Sequence, residues 1–282
     1  AGKVTVRGSN AIHDLSGTVF VGTAGLGVEG ANSQMNITGG TTTARSIAAT
    51  AGRNLKPVAL ELGGKSANMI FDSASIDRAL DGALAGIFGN NGQQCLAGSR
   101  ILVHEKIAKQ FIERFVARAQ KIRLGDPLLA TTEVGPLAFK AHLERVLSYV
   151  DVAKADGAKL LVGGKRAVDF GRGYFMEPTA VMAPANDSRV CQEEIFGPFA
   201  TFLTFSSLNE AIQIANSSKF GLVSYVWSDD VNTVMRCSRE IRAGTVWVNT
   251  PMMRELRAPF GGYRESGIGR DGPQARLEFF TE

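Results

Sequence analysis

The sequence predicts an α/β fold, and three observations carry the prediction. From Ser66 onward, short apolar runs with strand character alternate with segments whose apolar residues recur every three or four positions. The apolar content of 44% and charged content of 21% are those of a globular chain. The 282 residues hold no repeat, no low-complexity tract and no stretch that reads as a flexible linker. One large domain or two closely packed ones are therefore expected.

Taken in order, Val4-Thr5-Val6 and residues 18–21 read as short strands. Gly25-Leu26-Gly27-Val28-Glu29-Gly30 is a G-x-G-x-x-G string, but the polar stretch at 31–36 does not open a helix. A plain glycine turn fits it better than a pyrophosphate cradle. Residues 38–52 read as a turn entering a helix: Gly39-Gly40 lets a phosphate approach the backbone, and Thr41, Thr42 or Thr43 can cap the N-terminus. A capped helix with nothing bound reads equally well. Residues 58–62 form the next strand and deliver Glu61. Ile76, Leu80, Leu84 and Ile87 lie on one stripe of a helix over Ile76–Phe88. Arg100–His104 reads as a strand, followed by helices marked by Ile107, Phe111, Phe115 and Ala119, then by Leu143, Val146, Leu147 and Val150. Residues 160–162, 175–181 and Phe199–Phe205 are strands. Ser207-Leu208-Asn209-Glu210 is a capping box opening a helix through Asn216. Strands at 222–227 and 245–249, with a helix across 231–241, complete the pattern.

Composition excludes several classes of function. The net charge of +4 is spread without a basic run or an aromatic-interleaved stripe, so no nucleic-acid partner is expected. No apolar run approaches membrane-spanning length and no signal-peptide pattern appears, so no membrane partner is expected. Cys95, Cys191 and Cys237 have no metal or redox spacing and read as reduced thiols of a cytoplasmic protein. The histidines, His13, His104 and His142, stand in unrelated contexts, so no metal site is expected.

The chemistry concentrates between residues 60 and 100. Leu60-Glu61-Leu62-Gly63-Gly64-Lys65-Ser66 puts an acid at the end of an apolar strand before two glycines. Gly89-Asn90-Asn91-Gly92-Gln93-Gln94-Cys95-Leu96 puts a thiol in a loop of glycines and side-chain amides. A thiolate nucleophile, a glutamate whose environment raises its basicity, and backbone N–H groups facing a developing oxyanion suit covalent attack on a carbonyl. The same residue types also describe an inert buried thiol and a solvated or salt-bridged glutamate.

Leu-Glu-Leu-Gly-Gly-Lys-Ser, followed 34 positions after its glutamate by the cysteine of Gly-Gln-Gln-Cys, resembles the NAD(P)-dependent aldehyde dehydrogenase superfamily. Thr38-Gly39-Gly40-Thr41, Glu193-Glu194-Ile195-Phe196-Gly197-Pro198, and Ala258-Pro259-Phe260-Gly261-Gly262 with Ser266-Gly267-Ile268-Gly269-Arg270 resemble further motifs of that family, in its order. The resemblance implies two packed α/β domains: an incomplete Rossmann-type cofactor domain over 1–63, with 264–282 returning to it, and a catalytic domain over 64–263. It implies Cys95 as nucleophile and Glu61 as base, passing through a thiohemiacetal and a thioester. It implies cofactor contacts at Gly39, Gly40, Leu62, Glu194 (ribose hydroxyls) and Phe196 (beside the nicotinamide). The cofactor would be NAD, with NADP open; the partner would be a small-molecule aldehyde, and the full-length form a homo-oligomer.

Asn249 and Phe260 fall where family members line the substrate pocket, and both fit structural roles equally. Arg254 and Arg257 suit a carboxylate, or a surface salt bridge with Glu255. Arg254-Glu255-Leu256-Arg257-Ala258-Pro259-Phe260-Gly261-Gly262 is similar to the corresponding stretch of the hydroxymuconic semialdehyde dehydrogenases, including those of the 5-carboxymethyl-2-hydroxymuconate branch, which implies a carboxylated semialdehyde from aromatic catabolism. Asp271 stands where the family has a glutamate and is a weak candidate for assisting proton transfer. Arg7-Gly8 stands where the family carries a ribose-binding lysine, and the segment from Gly30 to Thr38 is shorter than the family's. The asparagine that supplies the family's second oxyanion donor, and its oligomer-forming tail, would lie outside this chain. Two other readings therefore stay open: a catalytically silent fragment that needs a partner segment, and an NAD-independent thiol esterase.

Overall fold

The computed structural model describes residues 4–6, 26–28, 35–38, 41–167, 170–253 and 255–281. Two sheets matter to the site. The smaller is built on β1 (Met35–Thr38) and β2 (Val58–Glu61), which pair in parallel, with β10 (Gly267–Ile268) antiparallel on the other side of β2. Helix α1 (Thr41–Arg53) covers it, burying Ala44 and Ile47 against Leu60 and Leu62. Glu61 ends the central strand, opposite Thr38 on one side and Gly267 on the other.

The larger sheet has seven strands. Its members are β3 (Ala67–Ile70), β4 (Arg100–His104), β5 (Lys159–Val162), β6 (Thr179–Met182), β7 (Phe199–Phe205), β8 (Val223–Trp227) and β9 (Thr245–Val248). Their spatial order is β9-β8-β3-β4-β7-β6-β5, parallel throughout except for the edge pair β5–β6. A parallel sheet needs cover on both faces, and its central strands here are buried almost without interruption rather than alternately. On one face Ile101, Val103 and Phe202 meet α2 (Ile76–Phe88) and α3 (Glu105–Ala119). On the other, Met69, Leu102 and Leu203 meet α4 (Lys140–Ala155), α5 (Leu208–Asn216) and α6 (Val231–Glu240). A last helix, α7 (Pro273–Phe280), follows β10.

The expected helix over Ile76–Phe88 forms with those bounds, because its Leu80 and Ile87 are fully buried on the sheet and its Gly82 admits the Trp227 ring. Several expectations are corrected. The strand expected at 175–181 starts only at Thr179, because Pro178 lacks the N–H a ladder needs and Met176 pairs separately with Arg166. The middle of the glycine string, Leu26–Val28, is a strand antiparallel to Val4–Val6 rather than a turn. The strand expected at 245–249 ends at Val248, since Asn249 turns into the left-handed region at φ 51°. In the capping box, Ser207 Oγ accepts from the Glu210 N–H, but Glu210 reaches back to the N–H of Ser206 instead of Ser207. The strand expected at 18–21 lies outside the described residues.

Leu80→Ala removes a fully buried side chain where α2 meets the sheet. It should cost about 2–5 kcal/mol in denaturant unfolding. A loss below ~1 kcal/mol would show that α2 is not packed as described.

Candidate active site

The site lies where the smaller sheet hands the chain to the larger one. Leu62–Ser66 leads from the last residue of β2 to the first of β3, so the carboxyl end of one sheet faces the amino ends of the other. Ser266 pins this segment: its carbonyl accepts from the Leu62 N–H at 3.0 Å and its Oγ donates to the Gly63 carbonyl at 2.7 Å. Two other segments close on the same strip, each entering its own strand. The Cys95 loop leads into β4, and Glu194 precedes β7.

The two glycines are spatial requirements. A Cβ on Gly63 would fall 2.0 Å from Glu194 Oε2, and one on Gly64 would fall 2.7 Å from the Cys95 carbonyl oxygen. The Gly64 N–H donates to Glu194 Oε1 at 3.1 Å. On the far side, a Cβ on Gly261 would lie 2.8 Å from Glu61 Oε1, so the Glu61 carboxylate rests against the segment after Phe260. Glu61 itself is buried, which removes the plainly solvated alternative.

The Cys95 loop is rigid for reasons its amides explain. Asn90, Asn91 and Gly92 are successive left-handed residues, at φ 50°, 58° and 67°. Asparagine tolerates that region better than other side chains do. Asn91 donates to the Pro136 carbonyl and accepts from the Gly135 N–H, while Gln93 accepts from Ala138 and Gln94 donates to the Gly89 carbonyl. Tyr225 Oη donates to the Leu96 carbonyl at 2.8 Å. Cys95 is half-buried beside the Tyr225–Trp247 stack and Phe260.

The electrostatics set the thiol's state. Burial pushes the Cys95 thiol up to about 11, and the nearby carboxylates of Glu194 and then Glu61 push in the same direction. The N–H groups of Cys95 and Leu96 face the sulfur and oppose them. Glu194 is itself raised above the usual carboxylate range by burial, against the Gly64 hydrogen bond and the positive charges of Arg145 and Lys65. Arg145, which no motif singled out, holds the Glu194 and Ile195 carbonyls at 2.7 Å each. His142 Nε2 donates to the Phe196 carbonyl at 2.7 Å, and Phe196 sits at φ 63° with its ring partly exposed.

A thiol and two carboxylates from three separate segments thus meet on one glycine strip. The model of the aldehyde dehydrogenase family matches residues 30–282. The chain belongs to the aldehyde dehydrogenase family. It is 42% identical over 251 residues to a betaine aldehyde dehydrogenase of Brucella anthropi, covering 88% of this chain and 52% of the relative. It is 43% identical over 277 residues to an aldehyde dehydrogenase of Emericella nidulans, covering 96% and 54%. A crystal structure of betaine aldehyde dehydrogenase from Staphylococcus aureus in complex with NAD+ superposes with a TM-score of 0.86 at 42% identity, over 88% of this chain and 50% of that one. The chain therefore spans about half the length of the curated relatives it matches.

The expected residues fall into four groups. Glu61, Cys95, Glu194 and Phe260 come together as described, with Phe196 two residues along. Leu62 puts its side chain into the core under α1, and its N–H is taken by Ser266. Asn249 and Arg257 are engaged by protein groups, the structural alternatives that the sequence left open for them. The Asn249 amide clamps Ser228, accepting from its N–H at 3.0 Å and donating to its carbonyl at 2.8 Å, so it serves the backbone rather than a ligand. Arg257 forms a two-pronged pair with Glu255 on the surface, at 2.8 and 3.0 Å, the salt bridge its neighbour in sequence allowed. Asp271 is likewise paired with Arg276 at 2.6 Å. Gly39, Gly40 and Arg254 lie outside the described residues. Among the described residues no group of three or more His, Cys, Asp or Glu could hold a metal ion, and no helix is long and apolar enough to cross a membrane.

At pH 8 a thiol near 11 is ionised in about one molecule per thousand. Glu194→Gln removes the larger of the two opposing charges, so Cys95 should be alkylated by iodoacetamide several-fold faster at pH 8. Cys191 and Cys237 are fully buried and stay silent. An unchanged or slower rate would mean the carboxylate does not act on this sulfur.

Proposed function

We propose that this chain carries the reaction centre of an NAD-dependent aldehyde dehydrogenase, oxidising an aldehyde to a carboxylate through Cys95. The observation that carries the proposal is the convergence of Cys95, Glu61 and Glu194 on the Gly63-Gly64 strip. Residues 1–63 with 264–282 would form the cofactor unit and 64–263 the catalytic unit, a division supported by β10 returning to pair with β2.

The residues at hand suit the nicotinamide end of such a cofactor. Glycines without side chains leave a flat approach, Glu194 is an acceptor for ribose hydroxyls, and Phe196 offers an exposed aromatic edge. The Leu62 carbonyl is the part of that residue left to contact it. When bound, NAD supplies the hydride acceptor. Gly39 and Gly40, with the N-terminus of α1, are the phosphate contacts proposed from the motif.

The chain's own residues then divide the work. Cys95 loses its proton to a carboxylate and its sulfur attacks the aldehyde carbon, forming a thiohemiacetal. The Cys95 N–H, already directed at the sulfur, stabilises the oxyanion. Once the carbon has been oxidised to the thioester, Glu61 takes a proton from water, the resulting hydroxide attacks the carbonyl carbon, and the Cys95 sulfur leaves. The paired Gly63 and Gly64 exclude side chains that would separate base from thioester.

For the substrate, the carboxylate reading rested on Arg254 and Arg257, and Arg257 is already paired with Glu255. The aromatic wall of Tyr225, Trp247 and Phe260 beside Cys95 supports an aldehyde with a cationic or apolar tail instead, because aromatic faces attract quaternary ammonium groups. Betaine aldehyde, named for the relatives, is of that class.

Calorimetry with NAD should show binding that Glu194→Ala weakens by roughly tenfold or more, about 1.4 kcal/mol. Glu61→Gln should leave a single rapid burst of NADH per site and slow the following turnover by about 100- to 10,000-fold, while Cys95→Ala abolishes both phases. Full turnover in Cys95→Ala would overturn the covalent route. NAD-independent ester hydrolysis that Cys95→Ala abolishes would favour the esterase reading. In competition, kcat/KM for betaine aldehyde should exceed that for a carboxylated semialdehyde; the reverse order would restore the carboxylate reading and point to Arg254.

A further inference from the structure

Beside the Gly63-Gly64 strip lies a second pocket that the proposed chemistry leaves unused. It opens to solvent at the amino ends of β3, β4 and β8. Lys65, Arg100 and Arg242 line it, together with Ser66 and Ser224, and no Asp or Glu does. Lys65 is 2% exposed and Arg100 is 1% exposed. Lys65 Nζ, Arg100 Nε and Ser66 Oγ are all buried, and none has a hydrogen-bond partner among the described residues.

Among the described residues no carboxylate oxygen bonds to either cation. The other nitrogens of Arg100 donate to neutral oxygens, those of Asn186, Ile214 and Ala215, at 2.7–2.9 Å. Glu193 is engaged by Arg189 and Tyr149, and Glu194 by the Gly64 N–H. Cys191, the acidic group that acts on both cations, is a buried thiol pushed up to about 11 and therefore neutral. Glu194 and Glu193 act on Lys65 from outside the pocket, but no carboxylate lines it, and the two buried cations keep unused donors inside.

We propose that this pocket binds a small monovalent inorganic anion of the chloride class, held by Lys65 Nζ, Arg100 Nε and Ser66 Oγ. A spherical anion accepts from several directions at once, so it meets three donors that arrive from the segment before β3 and from β4. Burial lowers the Lys65 amine only to about 8, so it still carries its charge at neutral pH. Lys65 directly follows Gly64, so the anion steadies the strip against which Glu194 and the Cys95 loop pack. The proposal stands independently of the aldehyde chemistry.

The test compares thermal unfolding at pH 7 in chloride and in gluconate at constant ionic strength, and locates bromide in soaked crystals by its anomalous signal. The melting temperature should rise with chloride as a site bound only in the folded state requires. Bromide should appear within hydrogen-bond distance of Lys65 Nζ and Arg100 Nε. Lys65→Met should abolish the halide dependence while keeping the far-ultraviolet circular dichroism. Identical melting in chloride and gluconate, halide protection that persists in Lys65→Met, or a water where bromide should be would each overturn the proposal. Should Lys65→Met fail to fold, the wild-type bromide map and a weakened halide dependence in Ser66→Ala decide the matter.

Discussion

The contact between Gly63-Gly64 and the two segments that rest on it is the constraint from which the site follows. Glu194 and the Cys95 carbonyl both come closer to these α-carbons than any side chain would allow. That closeness lets one short strip between two sheets collect a thiol and a carboxylate from segments 99 positions apart in sequence. A single methyl on either glycine would force one partner outward, and nothing else in the site could compensate. Ser266 fixes the strip from behind through its carbonyl and hydroxyl, so its position is set before any ligand arrives.

The larger sheet supplies the rigidity this arrangement needs. Its central strands are buried on both faces, and the loops feeding β3, β4 and β7 emerge at one end of it. Loops anchored this way hold functional groups precisely while remaining free of the core's packing demands. The Cys95 loop goes further, with three left-handed residues in succession held by side-chain amides to the segment at 135–138. Such strain persists only where the surroundings enforce it. The mouth of the site therefore depends on contacts remote from its chemistry, including Arg145 on the Glu194–Ile195 backbone.

Electrostatically the site is poised in one direction. Burial first, and then two carboxylates, push the Cys95 thiol up and hold it protonated at neutral pH. On the other side of the strip the balance reverses, with Lys65 and Arg100 buried together. Opposite fields flank one glycine pair, and the Lys65 charge acts on Glu194 from behind.

The sequence by itself determined the alternation of strands and helices, the bounds of Ile76–Phe88, Arg100–His104 and Phe199–Phe205, and the motifs that carry Glu61, Cys95 and Glu194. Those features are local: a stripe, an apolar run or a glycine string is complete within a few residues. Tertiary structure alone decided what the ambiguous polar residues do. Asn249 could have faced a ligand, and it clamps Ser228 because a left-handed turn brings its amide to that backbone. Arg257 could have met a carboxylate, and it meets Glu255 because both side chains lie on one exposed turn. Arg145 gave no signal, since it acts on carbonyls of a segment at least 49 positions away, and the motif that contains Ser266 did not show its bond to the Gly63 carbonyl. Hydrogen bonds to main-chain oxygen leave no residue-type signature, whereas a nucleophile before a strand and glycines under a carboxylate do.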